Sequence, residues 1–274
     1  MAAEKSSLPI TLWLKSLVVG TPFEILAKDL RWLLEARQRY AHPELWELYL
    51  EERRFPLVLQ RLLNEESSCI DVGGHIGSFL RLLKKYAPKG QHSVFEASST
   101  KSRWLKNRFP DVRVFPYAVS DRTGRAVFEE HYARSGYSAL QRETAKVRAE
   151  CATYEVETRR LDDVLLEMER VDLIKLDIEG GELAALRGAV GKIKKCNPAI
   201  IFECGSEYWL AKNNLSRLEL YNFITGDLRY DLFSFSDFLF EKGSMSYEEF
   251  RKYGLYPFRG FNFLALPRPA GTQN

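Results

Sequence analysis

No two cysteines in this chain stand at C-x-x-C spacing, and none of the four (Cys69, Cys151, Cys196, Cys204) has a nearby histidine at zinc-ligand spacing. A zinc centre and a disulfide framework are therefore not expected, and free thiols in a reducing compartment are. Long apolar runs are also missing: nothing approaches the ~20 residues that span a bilayer. The apolar stretch Leu8–Val19 is short, is interrupted by Lys15 and lacks the small-residue cleavage site of a secretory signal. A cytoplasmic protein with no transmembrane segment is the expectation. Nor does one sign of charge dominate. Lys and Arg number 40 against 37 Asp and Glu, a net +3, which gives no reason to expect a nucleic-acid partner. The 17 Gly and 11 Pro show no repeat, which excludes collagen-like and low-complexity chains. A chain of 274 residues can bury a core without covalent staples.

Glycine is absent between Gly20 and Gly73, and that stretch reads as helical. Leu26, Leu30 and Leu33 recur at helical spacing, an apolar face that should bury against something. His42-Pro43-Glu44 reads as a second helix start, with Pro in the first turn and Glu near the positive dipole end. Pro56 should break that helix, leaving a short one to about Leu63. Residues 1–66 are therefore expected to form an N-terminal helical cap on a main domain at 67–274.

From Ser67 strands and helices alternate. Cys69–Val72 is a short apolar strand, and Phe79, Leu82, Leu83 and Tyr86 share one helix face. His92–Glu96 is a second strand, followed by a helix that Thr100 could cap and that ends by Pro110. Val112–Pro116 is a third strand, Leu173–Asp177 a fourth and Ala199–Phe202 a fifth. Leu183, Leu186 and Val190 fall on one helix face, and Ser216–Thr225 is a helix closed by Gly226. Tyr230–Phe235 and Phe261–Leu266 close the set, while Arg125–Glu129 is an isolated strand and Tyr132–Ala152 is loop-like. Such alternation with short loops implies right-handed crossovers and a parallel sheet.

Three blocks carry chemistry. Asp71-Val72-Gly73-Gly74-His75-Ile76-Gly77 joins the first strand to its helix, where glycines let backbone approach a ligand. Its D-x-G-x-x-x-G spacing departs from the dinucleotide fingerprint, and its leading acid would repel phosphate but suits an ammonium group. Glu96 closes the second strand, where a carboxylate can accept both hydroxyls of a ribose. Ribose plus ammonium without phosphate describes S-adenosylmethionine and excludes NAD and ATP. The third block runs from Ile174 to Glu182. Lys175 in a buried strand needs a carboxylate partner, and strand alternation puts it on the same side as Asp177. Glu203 ends the next strand at the same edge, and Glu179 and Glu182 suit the N-terminus of the following helix.

Asp71–Gly77, Glu96, Tyr117–Asp121 with Gly124, and Lys175–Glu182 followed by Leu186-Arg187-Gly188-Ala189 resemble the FkbM-type methyltransferases over residues 67–266. The resemblance implies an α/β, Rossmann-like, seven-stranded class I methyltransferase sheet, mostly parallel with one antiparallel strand. It implies S-adenosylmethionine as cofactor, and O-methylation of a hydroxyl on a sugar or secondary metabolite. Asp71, Gly73 and Gly77, with Gly74 and His75 between them, take the methionine-side loop, Glu96 the ribose acid, and Ala118 and Val119 the adenine side. His75 stands where the family often has Asn.

Methyl transfer is an in-line displacement, and an alcohol acceptor gains from a general base. Asp177 is the first choice and Glu203 the second, with Lys175 positioning the base or stabilising an oxyanion; His75 and His131 stand further off. The partner is a small-molecule or glycan acceptor. A divalent cation on Asp177 and Glu203 is the alternative role for those acids, but two oxygen ligands are few and no metal is assigned. Two other classes stay open: a non-catalytic S-adenosylmethionine-binding module and a nucleic-acid methyltransferase. The second would carry an Asn/Asp-Pro-Pro-aromatic tetrapeptide where this chain has Asp177-Ile178-Glu179-Gly180.

Overall fold

The computed structural model describes residues 21, 23–131, 139–140 and 151–269. The stretch Leu8–Val19 lies outside them, as does most of 132–152. The chain enters through helices α1 (Phe23–Leu34), α2 (Ala36–Ala41), a 3-10 turn at Pro43–Leu45 and α3 (Trp46–Leu62). Leu26, Leu30 and Leu33 do lie on a helix, but their face is turned outward, at 64%, 55% and 68% exposure. α1 is instead fastened by polar and aromatic contacts. Arg53 reaches Asp29 at 2.7 Å and lies over the Trp32 ring, which meets Trp46 edge-on.

Pro56 does not end its helix: α3 runs through it. An interior proline costs roughly 3 kcal/mol. Packing on both sides of the proline offsets that cost. Phe55 meets the rings of Phe79 and Phe235 edge-on at 5.7 and 4.7 Å, while Val58 and Leu59 are fully buried.

The remainder builds β1 (Cys69–Val72), α4 (Ser78–Tyr86), β2 (Ser93–Phe95), α5 (Ser99–Arg108), β3 (Arg113–Phe115), β4 (Ala118–Val119), β5 (Gly124–His131), β6 (Ala139–Leu140) and β7 (Cys151–Arg159). After these come α6 (Leu161–Val164), β8 (Leu173–Leu176), α7 (Glu182–Arg187), α8 (Val190–Cys196), β9 (Ala199–Glu203), α9 (Glu207–Lys212) and α10 (Arg217–Asn222). β10 (Tyr230–Ser234), α11 (Phe235–Leu239), α12 (Tyr247–Tyr253) and β11 (Asn262–Pro267) close the chain. The main sheet has seven strands in the order β10-β11-β9-β8-β1-β2-β3. β11 runs antiparallel to both neighbours and the central strands are parallel, as the sequence pattern implies. β1 and β8 are buried along their whole length, which is why both read as unbroken apolar runs around one charge each.

Three local expectations change. Ser98, not Thr100, caps α5, its hydroxyl accepting the Lys101 amide at 3.3 Å. The stretch carrying Leu183, Leu186 and Val190 forms two helices with Gly188 between them, where a Cβ would lie 2.0 Å from the Ser120 carbonyl oxygen and only glycine fits. β7 was not anticipated at all. It pairs with β5 along eight residues and with β4, forming a second sheet ordered β4-β7-β5-β6. Among the described residues no helix is long and apolar enough to cross a membrane. Cys69, Cys196 and Cys204 are free thiols, and the side chain of Cys151 lies outside the described residues.

Candidate active site

A cavity of about 940 Å³ opens at the carboxyl ends of β1, β2, β8 and β9, where open α/β sheets receive ligands. The turn leaving β1 shapes its floor. Gly73 and Gly74 both donate their amides to the Phe95 carbonyl at 2.9 and 3.2 Å. Gly73 has φ +86°, and a Cβ on it would fall 2.0 Å from the Asp177 carbonyl oxygen. Only glycine lets β1 and β8 approach this closely. His75 follows at φ 48°, left-handed without being glycine, and its amide donates to Glu96 Oε2 at 2.8 Å. Gly77 precedes the first residue of α4 and abuts the Phe109 ring, away from the cavity.

Glu96 lies just past β2, buried yet on the cavity wall. Its second oxygen, Oε1, accepts the Ser98 amide at 2.9 Å. Each carboxylate oxygen thus accepts one backbone N–H and retains a second acceptor site, which fits the two hydroxyls of a ribose. Burial pushes the carboxyl above its ordinary value, against the pull of Lys101. Ala118 and Val119 line the same cavity beside Tyr117 and Phe128, giving apolar and aromatic surface for a planar base. The cradle therefore suits S-adenosylmethionine in size and donor set.

At the other end, Lys175 Nζ lies 3.0 Å from Asp177 Oδ2 and 3.5 Å from Asp71 Oδ1. Asp71 is fully buried and does not line the cavity, so the cation it faces is Lys175. Burial alone would lower the Lys175 ammonium; Asp177 and Asp71 outweigh it and hold it above its usual value. Burial likewise works to raise Asp177, but Lys175 and a hydrogen bond with Glu203 hold that carboxyl below its ordinary range. Glu203 moves the opposite way, raised by burial and by the Asp177 charge beside it. The shared hydrogen bond thus favours the charge on Asp177 and the proton on Glu203. Glu179 joins them, the three carboxylates offering oxygens within 4.8 Å of one another. Glu182 instead turns back on its own loop, accepting the amides of Ile178 and Gly180 at 3.1 and 3.2 Å.

Sequence reasoning missed several wall residues. Glu52, Phe55 and Pro56 of α3 enter the cavity, as do Lys101 of α5 and Asn262 of β11. Nothing in local sequence marks them, since they arrive on three elements outside the loops that hold the predicted site residues. A side chamber of about 270 Å³ continues past Glu203 between Trp209, Leu215 and Phe261.

The model of the methyltransferase FkbM domain matches residues 71–226, more than half of the chain and the whole stretch from Asp71 to α10. The chain belongs to the FkbM methyltransferase family. "Methyltransferase 1" of Beauveria bassiana (strain ARSEF 2860) is 27% identical over 146 residues, 45% of this chain and 59% of that relative. The chain thus spans about three fifths of that relative's length. Among solved structures, the methyltransferase FkbM of Methylobacillus flagellatus KT aligns at 19% identity and TM-score 0.46, covering 74% of this chain and 44% of that one. An O-methyltransferase from Bacillus cereus in complex with SAH aligns at 13% identity and TM-score 0.42, covering 78% of each chain.

Proposed function

We propose that this FkbM-family chain is an S-adenosylmethionine-dependent methyltransferase acting on a hydroxyl oxygen of a sugar or secondary metabolite. The observation that carries this reading is one cavity bearing Glu96 at one end and the Asp177–Glu203 pair at the other. When bound, the cofactor supplies an activated sulfonium methyl. Glu96 accepts the ribose hydroxyls, the loop from Gly73 to His75 lies along the methionine end, and Ala118 and Val119 lie against the base. Asp177, held ionised by Lys175, accepts the proton from the acceptor hydroxyl as the new bond forms. Glu203 keeps its own proton and fixes the Asp177 carboxylate by donating to it. The α3 residues Glu52, Phe55 and Pro56 form the acceptor-side wall, which gives the helical stretch up to residue 66 the role of a cap on the domain at 67–274.

A second reading of the acids has the Asp177–Glu179–Glu203 cluster in its favour: a divalent cation gripping a diol acceptor. Lys175 at 3.0 Å from Asp177 and the proton on Glu203 favour the base reading, because an ion would have to displace both influences. The test is calorimetric titration with S-adenosylhomocysteine and with NAD, followed by transfer of labelled methyl to a panel of glycosides and phenols. Saturable binding of S-adenosylhomocysteine with turnover is expected. Binding of NAD without binding of the sulfur ligand would overturn the reading, and binding without turnover on any acceptor would favour a non-catalytic module.

A further inference from the structure

The acceptor-side wall carries a side-chain amide whose orientation another residue dictates. Asn262 opens β11 and lines the cavity. Its register partner on β9 is Glu203, and the Cys204 amide donates to the Phe261 carbonyl at 2.8 Å one pair further out. Bonded and non-bonded pairs alternate along an antiparallel ladder, so Asn262 and Glu203 form the non-bonded kind, whose side chains stand closer. Asn262 therefore lies beside the acid that bonds Asp177.

Glu51 of α3 holds this amide. Its Oε1 accepts the backbone amides of Phe261 and Asn262 at 2.8 and 2.7 Å, and its Oε2 accepts Asn262 Nδ2 at 3.0 Å. A Cβ on Gly260 would lie 2.5 Å from Glu51 Oε1, so glycine lets the chain close over the carboxylate. Burial raises the Glu51 carboxyl, while the three N–H groups work to keep it ionised. A carboxylate only accepts, so the amide must give it the nitrogen and turn Oδ1 away. Among the described residues no donor reaches that Oδ1, and it is not buried. Glu52, Asp177 and Asn262 thus line the acceptor end with hydrogen-bond acceptors, which suits a ligand rich in hydroxyls.

We propose that Asn262 is a specificity-determining residue: its Oδ1, fixed by Glu51, accepts a second hydroxyl beside the one that is methylated, so the acceptor is a vicinal diol and not a lone alcohol. This rests on the reading of Asp177 and Glu203 as the acceptor end of the cavity. Replacing Glu51 by Gln reverses the amide without emptying any space. The new carbonyl must still accept the two backbone amides, and its NH2 takes the place of Oε2. Asn262 then has to turn Oδ1 toward that NH2 and present Nδ2 to the cavity.

The experiment compares kcat/KM for labelled methyl transfer to catechol against phenol, and to methyl glycosides against their singly deoxygenated counterparts. The proteins are wild type, Asn262→Ala, Glu51→Gln and Glu51→Gln/Asn262→Asp. Wild type should prefer the diol of a pair by at least about tenfold, since the lone alcohol leaves a hydrogen bond unmade in the site. Asn262→Ala and Glu51→Gln should both lose that preference through KM, with the S-adenosylhomocysteine Kd near wild type. The double variant should regain most of it, because a carboxylate at position 262 accepts from the Gln amide on one side and from the diol on the other. An anchor for α3 alone would not be rescued in that way. If Glu51→Gln does not fold, Asn262→Ala decides, since Glu51 then keeps both backbone amides. A diol preference that survives both single variants, or that EDTA abolishes, overturns the proposal. If no acceptor is methylated although S-adenosylhomocysteine binds, the reading of the function fails and this inference with it. Turnover without diol preference sinks the inference alone.

Discussion

Replacing Lys175 by Met tests the electrostatic arrangement beneath the cavity. The substitution keeps the stem and removes the ammonium that faces Asp71 Oδ1 at 3.5 Å and Asp177 Oδ2 at 3.0 Å. Asp177 is partly open to the cavity and can be hydrated, but Asp71 is 0% exposed and neither of its oxygens has a closer donor. Stranding one member of a buried ion pair costs about 3–5 kcal/mol. At about 2–4 °C per kcal/mol for a domain of this size, the melting temperature should fall by roughly 6–20 °C at neutral pH. The pH dependence has a definite sign. Burial already raises the Asp71 carboxyl and Lys175 opposes that rise, so without Lys175 its folded value climbs further above the unfolded one. A carboxyl raised on folding destabilises the native state where it must ionise, and stops doing so as falling pH protonates it. Lys175, raised above its usual value, stays charged throughout this range and adds no slope in the wild type. The deficit of Lys175→Met should therefore be largest at and above neutral pH and shrink toward acid. Lys175→Met/Asp71→Asn should recover most of the loss, because an amide can be buried without a counter-charge. Thermal melts over a pH series decide it. A single variant melting within about 2 °C of wild type at neutral pH, or a double variant less stable than the single, would refute the reasoning.

Asp177→Asn should lower kcat by about 10²–10⁴-fold while the S-adenosylhomocysteine Kd stays near wild type, measured by turnover and titration in parallel. Equal turnover would move the base to Glu203. Because Asp177 is held below the ordinary carboxylate range, the rate should be flat through neutral pH and fall only in acid as Asp177 takes up its proton. Turnover should survive exhaustive EDTA treatment; loss of activity regained with added magnesium or calcium would establish the cation reading of the acid cluster. Leu30→Ser, on the outward face of α1, should change stability by no more than about 0.5 kcal/mol in denaturant titration. A loss of several kcal/mol would mean that this face is covered in solution.

Local sequence was sufficient wherever a residue's partner lay within its own element or the next turn. Cys69–Val72, the helix after it and the closing strands could be read from periodicity and punctuation, because burial on both faces of a central strand leaves an unbroken apolar run. The carboxylates at 96, 177 and 203 were legible as candidates for a related reason, since an acid that follows an apolar run is conspicuous at a strand end, whereas Asp71, inside β1, reads as facing a ligand ammonium and faces Lys175 instead. β7 was legible in principle, since Tyr154, Val156 and Thr158 alternate with the more exposed Thr153, Glu155 and Glu157, but its polar composition hid the alternation. Tertiary structure alone decided the rest. Pro56 stays inside α3 because rings from α4 and α11 hold that helix on both sides, which no propensity within the helix encodes. The α1 leucines face outward because nothing in a helical repeat specifies what the face will meet. Asp71 faces Lys175, Glu203 meets Asp177 and Glu179, and Lys101 reaches Glu130 for one physical reason. The charge state of a buried group depends on which other charges the fold brings within a few ångströms, and those lie tens of residues away along the chain.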